Sequence, residues 1–353
     1  MVTILDISGT TITLASALAY SHYGCADSDI LSTTSGTIDT RARVGHLTRN
    51  VKIRAGEDAG WGFTVYITQY FENHEPLTDL TVGVWRNGTA TIDGVQFIDG
   101  GQLDSTNSPL KFKDVTELAS TVTDSSFMGC KAFCVQIDNS QNVTMINNVF
   151  YDAWVFGVEV EEMTELKTFV FTNNLIIGVS PRPTVPEGQE LVAGFATYKY
   201  FSPDAGNQIE NNQIYGAIHG FALPHIICTE LETHTMKNNV AGSCTVGFIL
   251  NKNGQGSMCM AFSYITAFSC HIGQICGPPS VEALQYSNFK MAENSRSVTL
   301  KIGASEGGHN HVAHFTNSSI HAIARPTCTE CYKMKTFCSN SHAVRLFSAS
   351  NNG

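Results

Sequence analysis

The sequence predicts an all-β protein built as a right-handed parallel β-helix. Three observations support this: a polar pair followed by an apolar residue recurs along the chain, a glycine-led segment follows it at a nearly fixed offset, and no amphipathic helical stretch is found. A β-sandwich would show turn signals about every 8 to 12 residues without the longer repeat, and an α/β fold would need amphipathic helices. The pattern therefore favours a solenoid.

The repeat is clearest in four Asn-Asn copies, at 147–150, 173–176, 211–214 and 238–241. The last residue of each copy serves as an anchor that predicts one coil of three short strands and three turns. The spacings run from 22 to 38 residues, and the longest contains a turn-rich insertion at 180–188. The expected anchors are Phe97, Phe127, Phe150, Ile176, Ile214, Ala241, Ala267, Phe289 and Ile320.

The second Asn of each pair is predicted to form a structural ladder. Parallel coils stack about 4.8 Å apart, so equivalent amides lie above one another and can bond along the column. Asn also tolerates left-handed backbone conformations at corners. The predicted ladder consists of Asn148, Asn174, Asn212 and Asn239.

Glycines keep step with the anchors, because Gly220 and Gly247 each follow one by six residues and Gly157 follows one by seven. We expect these glycines at corners, where they adopt backbone angles that other residues resist. The column three residues after the anchors is mostly small and includes Cys244 and Cys270 on consecutive coils. Either a stacked thiol pair or a coil-to-coil disulfide fits that spacing.

Composition excludes several classes of partner. The 353 residues carry a formal net charge of −10, and no Lys/Arg cluster offers the basic stripe of a nucleic-acid binder. No stretch reaches the roughly 18 to 20 apolar residues of a membrane span, and residues 2–14 do not form a signal peptide. We expect Met1 to begin a fragment of a longer chain.

Three blocks near the N-terminus carry a family resemblance: Gly9 to Leu14, Tyr20 to Gly24, and Arg43 to Val51, which reads Arg-Val-Gly-His-Leu-Thr-Arg-Asn-Val. They resemble the end of the glycine-rich domain and its junction to a β-helix in fibrocystin-like proteins and their cell-surface hyaluronidase relatives. The resemblance implies an ectodomain on cell or ciliary surfaces. The expected domains are 1–60, a β-rich remnant with the junction; 61–325, the β-helix; and 326–353, a Cys-containing segment.

The resemblance also bears on catalysis. The hyaluronidase relatives carry a Pro-Ile-His-Phe-His block after a Gly-Gln pair, and those histidines belong to their proposed active centre. Here Gly101-Gln102 is followed by Pro109-Leu110-Lys111-Phe112-Lys113, so both histidines are lysines. An ammonium group does not replace an imidazole as metal ligand or acid/base catalyst without a large pKa shift.

Glycoside hydrolysis ordinarily needs two facing carboxylates, and we expect the available ones to be solvated turn residues. The sequence does not identify a catalytic pair and predicts no cofactor, and it favours a non-enzymatic function. The candidate carboxylates are Asp93, Asp99, Asp104, Asp114, Asp124, Asp152, Glu159, Glu161 and Glu162.

Two clusters offer metal or disulfide chemistry. His309 and His311 share a face of a strand and His314 follows, and a turn and strand edge is favoured over a metal site. Cys328, Cys331 and Cys338 lack a fourth zinc ligand. In an oxidising compartment they favour a local disulfide.

Three N-x-[ST] sequons, at Asn87, Asn142 and Asn317, are expected glycosylation sites of a secreted chain. The first hypothesis for function is a non-catalytic structural or adhesive ectodomain, of which a cell-surface or ciliary coat or filament is one form. Its partners would be extracellular protein subunits or glycans. The alternatives are a hyaluronidase-like glycosidase and a receptor that binds glycans without cleaving them.

Overall fold

In a computed structural model, the chain is described over most of its length, and all regular structure in those residues is β-strand. It follows that no helix in them is long and apolar enough to cross a membrane. The described residues are 2–9, 11–18, 30–33, 36–39, 43–56, 61–73, 83–161, 168–182, 184, 191–197, 207–223, 226–227, 236–250, 258–276, 281–294, 296–302, 312–322 and 342–348.

Two antiparallel hairpins come first, and three larger sheets, here named A, B and C, follow. The hairpin strands are β1 (Ile4–Ser8), β2 (Thr11–Leu14), β3 (Ile30–Thr33) and β4 (Gly36–Asp39). Sheet C contains β5 (Val51–Arg54), β9 (Val95–Ile98), β12 (Ser126–Cys130), β15 (Val149–Trp154), β18 (Leu175–Ser180), β21 (Gln213–Ala217), β25 (Val240–Gly242), β28 (Thr266–Phe268), β31 (Lys290–Asn294) and β34 (Ser319–Ala322).

Sheet A contains β6 (Val65–Asn73), β7 (Gly83–Asn87), β10 (Leu110–Lys113), β13 (Val135–Asp138), β16 (Phe156–Glu161), β19 (Ala193–Thr197), β22 (His219–Leu223), β26 (Val246–Leu250), β29 (Ile272–Cys276), β32 (Arg296–Ile302) and β35 (His342–Ser348). Sheet B contains β8 (Thr91–Asp93), β11 (Ser120–Thr123), β14 (Val143–Ile146), β17 (Val170–Thr172), β20 (Gln208–Glu210), β23 (Ile226–Ile227), β24 (Met236–Lys237), β27 (Met258–Ser263), β30 (Val281–Ser287) and β33 (Val312–Thr316).

Each coil visits sheets B, C and A in turn, and successive coils pair in parallel. Only two pairings within the three sheets are antiparallel in the described residues, β6 with β7 and β23 with β27. The protein is therefore a parallel β-helix, as the sequence predicts. Ile176 pairs with Ile214, so the 38-residue spacing between these anchors corresponds to one coil. The turn-rich insertion falls between β18 and β19 in the sequence.

One predicted anchor is wrong. Ala267 pairs with Met291, and Met291 pairs with Ile320, so Phe289 lies two residues before the true anchor. Asn288 takes the left-handed φ of 52° that the first Asn of each pair takes elsewhere. The aligned motif is therefore Asn288 to Met291, and a buried Phe stands where other coils place the second Asn.

The two asparagines of each pair have different structural roles. The first members, Asn147, Asn173, Asn211 and Asn238, have φ between 55° and 58°, which Asn tolerates at a corner. The second members are buried in one column: the Asn148 amide donates to Asn174 Oδ1 at 3.0 Å, Asn174 donates to Asn212, and Asn212 donates to Asn239, each at 3.0 Å. Backbone N–H groups bond to the same oxygens, so the column is hydrogen-bonded throughout.

The glycine column exists, but for a different reason from the one expected. Gly157, Gly220 and Gly247 do not have left-handed φ values. Instead, a Cβ on Gly220 would lie 2.5 Å from Gly247 O, and one on Gly247 would lie 2.5 Å from Gly273 O. Close approach between coils, rather than unusual backbone angles, requires glycine there.

The core is filled by stacked aromatic rings. Phe97, Phe127 and Phe150 stack at centroid distances of 4.6 and 4.9 Å, and Phe221 stacks on Phe248 at 4.9 Å. Equivalent side chains of successive coils lie above one another, so each ring adds to a continuous column.

The segment 43–50 lies lengthwise along sheet C and leads into β5, which pairs with β9. A Cβ on Gly45 would lie 2.7 Å from Val149 Cγ1, so the backbone passes directly over the sheet. This segment, with Ile38 before it, contacts residues from several coils, among them Asp124, Ser126, Val149, Leu175, Tyr215, Phe268 and Ala292.

Candidate functional site

Lys111 and Lys113 of β10 lie on the outer face of sheet A. Leu110 and Phe112 of β10 are buried in the core, and side chains alternate along a strand. Lys111 and Lys113 therefore point outward together. Gly101, with φ of 83°, and Gln102 belong to the loop that precedes β10.

The coil register places four more polar residues beside them. Gln136 and Glu159 follow Lys111 on successive strands, and Asp138 and Glu161 follow Lys113. Strands in register lie about 4.8 Å apart, so these outward side chains are direct neighbours. The carboxylate–lysine cluster is Lys111, Lys113, Gln136, Asp138, Glu159 and Glu161.

Members of the cluster form ion pairs and hydrogen bonds with one another. Lys111 Nζ and Lys113 Nζ lie 3.8 and 3.7 Å from Asp138 Oδ2. The Gln136 amide donates to Glu159 and to Glu161, each at 3.0 Å. Gln136 is only 1% exposed, yet its Oε1 has no hydrogen-bond partner among the described residues.

Burial changes the protonation of this cluster. Glu159 is 4% exposed, and its desolvation, reinforced by the nearby Glu161 carboxylate, raises its pKa to about 8. The hydrogen bond from Gln136 and the charge of Lys111 oppose that rise. Glu159 is therefore mostly a neutral acid at pH 7, able to donate a proton.

Lys113 stays charged. The Asp138 carboxylate, followed by Tyr66 and Asp114, raises the Lys113 pKa above its ordinary value. A lysine held as an ammonium group offers no lone pair to a metal or to a reacting proton. The imidazole chemistry implied by the resemblance is therefore absent at this position.

The surroundings differ at the two ends of the cluster. Beyond Glu159 the same outward column continues with Ala196 and Ala222, which are buried and pack with Phe133 and Phe156. Before Lys111 it continues with Tyr66, which is 49% exposed. The cluster thus lies where a covered part of the sheet meets an open part.

Most carboxylates that the sequence analysis considered lie at corners. Five have φ between 47° and 58°, and Asp93 accepts a hydrogen bond from Thr123 at 3.1 Å at the end of its strand. Glu162 lies outside the described residues. Only Glu159 and Glu161 join the cluster, and the five residues with left-handed φ are Asp99, Asp104, Asp114, Asp124 and Asp152, the last of these within β15.

The predicted metal candidates are not tested, because His309 and His311 lie outside the described residues and only the backbone of His314, in β33, is described. Within the described part of the chain, no group of three or more His, Cys, Asp or Glu side chains is arranged to hold a metal ion. Cys328, Cys331 and Cys338 also lie outside it.

Cys244 and Cys270 lie on neighbouring coils, where the His271 N–H donates to Cys244 O at 3.1 Å. Both are buried and neither takes part in a disulfide bond, so they form the stacked thiol pair rather than the coil-to-coil disulfide. Parallel stacking points both Cβ atoms the same way, which disfavours the disulfide dihedral. The disulfide that does form, Cys130–Cys134 with Cα atoms 5.2 Å apart, was not predicted.

The sequons differ in exposure. Asn317 is exposed at a corner with φ of 45°. Asn87 ends β7 instead of lying in a turn, and its amide donates to Glu117 at 2.7 Å. Asn142 is half-buried, and its amide lies 3.4 Å from the carbonyl oxygen of Glu117.

Sequence reasoning missed Gln136 and Asp138. The step of 23 residues between anchors Phe127 and Phe150 also relates Gln136 to Glu159 and Asp138 to Glu161. The step from Lys111 to Gln136 is 25 residues, however, and no anchor spacing has that length, so the anchors do not lead from the lysine strand to Gln136 and Asp138.

A family model described as CEMIP beta-helix matches residues 82–267. That range holds 186 of the 353 residues, more than half of the chain, and includes every member of the carboxylate–lysine cluster. No curated protein matches the chain.

Proposed function

Because this chain belongs to the CEMIP beta-helix family, we propose that it is an extracellular, non-catalytic module with a structural or adhesive role. The family is hyaluronidase-like, with cell-surface or secreted members, and this supports a place outside the cell. The resemblance of the block Arg43 to Val51 to fibrocystin-like proteins supports a surface protein of that kind. Its partners would be extracellular proteins or glycans, and a cell-surface or ciliary coat is one setting.

The observation that carries the proposal is the pairing of Lys111 and Lys113 with Asp138. By the resemblance these lysines occupy the positions of the histidines, both pair with the Asp138 carboxylate on the next strand, and that carboxylate raises the pKa of Lys113. The position therefore offers charge and hydrogen bonds for binding but no imidazole for catalysis.

A long regular wall suits a structural role. The Asn column and the stacked phenylalanines tie each coil to the next, so the solenoid resists bending between coils. The outer faces of such a rod offer extended surfaces for contact. In native extracts, an adhesive or coat module is expected in complexes after mild crosslinking, and recovery of isolated monomers alone would count against assembly.

Product sizing tests the absence of catalysis. Long hyaluronan and other acidic glycans are incubated with the purified protein at pH 5 and pH 7, and their chain lengths are compared with protein-free samples. A family member that keeps both histidines is the positive control. We expect unchanged lengths, whereas turnover that disappears in Glu159→Gln would overturn the proposal.

A second candidate, glycoside hydrolysis, is favoured by one specific observation. Glu159, with its pKa raised to about 8, is a neutral acid on the same face as the carboxylate of Asp138. Their Cα atoms lie diagonally on adjacent strands, about 8 Å apart by strand geometry. Inverting glycosidases hold their two carboxyl groups roughly 6.5 to 9.5 Å apart, a spacing that side chains on these two positions can reach. This function predicts product of inverted configuration and activity that falls above pH 8.

A further inference from the structure

Two exposed tyrosines extend the carboxylate–lysine cluster toward the open end of sheet A. Tyr66 and Tyr70 of β6 are 49% and 58% exposed, and Tyr66 is the register partner of Lys111. They are four residues apart, so they share one face and stand about 13 Å from each other. The edge strand β7 continues this end of the sheet with Arg86 beside Tyr70. Aromatic faces so arranged can stack on two non-adjacent rings of a chain ligand.

Among the described residues, one acceptor of the cluster has no donor, Gln136 Oε1. Both amide hydrogens of Gln136 face Glu159 and Glu161, so Oε1 points away from these glutamates. A buried oxygen left without a partner carries a free-energy cost that a hydroxyl or N–H donor removes. Gln136 Oε1 therefore marks a place where a ligand donor would be favourable.

Charge argues against an acidic ligand. Two ammonium groups, the carboxylates of Asp138 and Glu161, and the largely neutral Glu159 bring the cluster close to zero net charge at pH 7. A ligand carboxylate would compete with Asp138 for the lysines and lie near Glu161. The chain as a whole carries −10, which also repels polyanions.

The ligand can reach the amide if the lysine side chains move. The ion pairs of Lys111 and Lys113 with Asp138 are long, at 3.8 and 3.7 Å, and the Lys113 side chain is 42% exposed. An exposed pair such as that of Lys113 holds its side chain weakly, whereas the side chains of the Lys111–Asp138 pair are only 11% and 12% exposed. Lys111 lies between Tyr66 and Gln136 in the register, so a ligand reaches the amide when the Lys111 side chain moves aside.

We propose that Tyr70, Tyr66 and Gln136 form a binding strip for an uncharged, hydroxyl-rich oligosaccharide long enough to span all three side chains. Two non-adjacent rings stack on the tyrosines, and a hydroxyl or amide of a further ring donates to Gln136 Oε1. The inference rests on the proposed adhesive function, because it names the ligand class of the same face.

Calorimetry with matched hexasaccharides tests the strip on the whole chain. The probes are a hyaluronan hexasaccharide, the same sugar with its carboxyl groups reduced to alcohols, and chitohexaose. We expect both uncharged probes to bind at least tenfold more tightly than the charged one. Preference for the charged sugar, or no binding of either uncharged sugar, would overturn the inference.

Variants locate the site. Tyr66→Ala and Tyr70→Ala change exposed side chains and are expected to weaken binding about five- to tenfold each, the usual value of an aromatic stacking contact. Gln136→Met keeps the shape, removes the acceptor and is expected to weaken binding to a similar degree. If all three variants bind the uncharged sugars as tightly as the unchanged protein does, the proposed strip is wrong.

Two controls lie on other faces. Tyr264, at a corner and 51% exposed, matches the tyrosines, and Gln208, exposed on sheet B, is a glutamine outside the strip. Tyr264→Ala and Gln208→Met should leave the affinity unchanged, and a loss equal to that of the strip variants would contradict the location. If the protein binds an uncharged sugar and shortens it, the non-catalytic proposal fails while the strip stands. If only the acidic sugar binds and stays intact, the strip fails while the non-catalytic proposal stands.

Discussion

Glu159 shows what burial does to a carboxyl group on the outside of a β-helix wall. Its outward position comes from strand alternation, and its burial comes from the covered part of sheet A that begins beside it. Desolvation and the neighbouring Glu161 raise its pKa to about 8. Gln136 and Lys111 limit that rise, so protonation of one residue depends on three strands.

Stability should therefore fall as the pH rises. The folded pKa of about 8 lies above the ordinary value of 4.5, so the folded state binds more protons between these values. This contribution is full below pH 4.5 and is lost as the pH rises through 8. In urea titrations at pH 5, 7 and 9, Glu159→Gln should remove part of the decline, on the order of 3 kcal/mol. If the free energy of unfolding falls with pH by the same amount in Glu159→Gln and in the unchanged protein, Glu159 is not the residue with the raised pKa.

The Asn column gives a second test at this scale. Asn212→Ala removes bonds to Asn174, Asn239 and the Phe171 carbonyl, all buried. Leaving such groups unsatisfied should lower the free energy of unfolding by about 3 kcal/mol. Asn50→Ala, at an exposed residue just before β5, is the control and should change it little. Similar urea midpoints for the two variants would mean that water replaces the ladder.

Elements of this fold are set by how closely coils approach. Gly157, Gly220 and Gly247 were expected from their spacing, but the reason for glycine is contact with the next coil, which one sequence does not reveal. The Phe289 anchor failed for a related reason. A buried Phe replaced the second Asn, so polarity no longer marked the corner, whereas the left-handed Asn288 still did.

Gly220→Ala tests the close approach. The added Cβ would lie 2.5 Å from Gly247 O and 2.9 Å from Ala241 Cβ, so the coils must separate locally. Overpacking of this kind should cost about 1 to 3 kcal/mol and lower the melting temperature. Gly56→Ala meets no atom within 4 Å and serves as the control. An unchanged melting temperature in Gly220→Ala would show that the coils adjust freely.

At the scale of the whole molecule, the sequence predicted the parallel β-helix and its coil spacing, because the repeat reports stacking directly. It did not predict the carboxylate–lysine cluster, since which outward residues meet depends on the register of sheet A rather than on the anchors. Gln136 and Asp138 carry no signal by themselves. The division into domains at residues 60 and 325 stays a prediction.

Glycosylation tests the extracellular placement of the whole chain. We expect glycan on at least one of Asn87, Asn142 and Asn317 in protein from native material, with Asn317 the most exposed of the three. Peptide mapping in heavy-oxygen water after enzymatic deglycosylation marks each occupied asparagine by its mass change. Three unmodified sequons would contradict a secreted or surface location.

Recovery of the bound sugar tests the central claim, that this face binds a glycan without cutting it, most directly. The carboxyl-reduced hyaluronan hexasaccharide is incubated overnight with the protein, the complex is isolated by rapid gel filtration, and the released sugar is weighed by mass spectrometry. The account predicts a single species with the mass of the intact hexasaccharide in the protein fraction. Shorter sugars that disappear when Glu159 is replaced by Gln would contradict it.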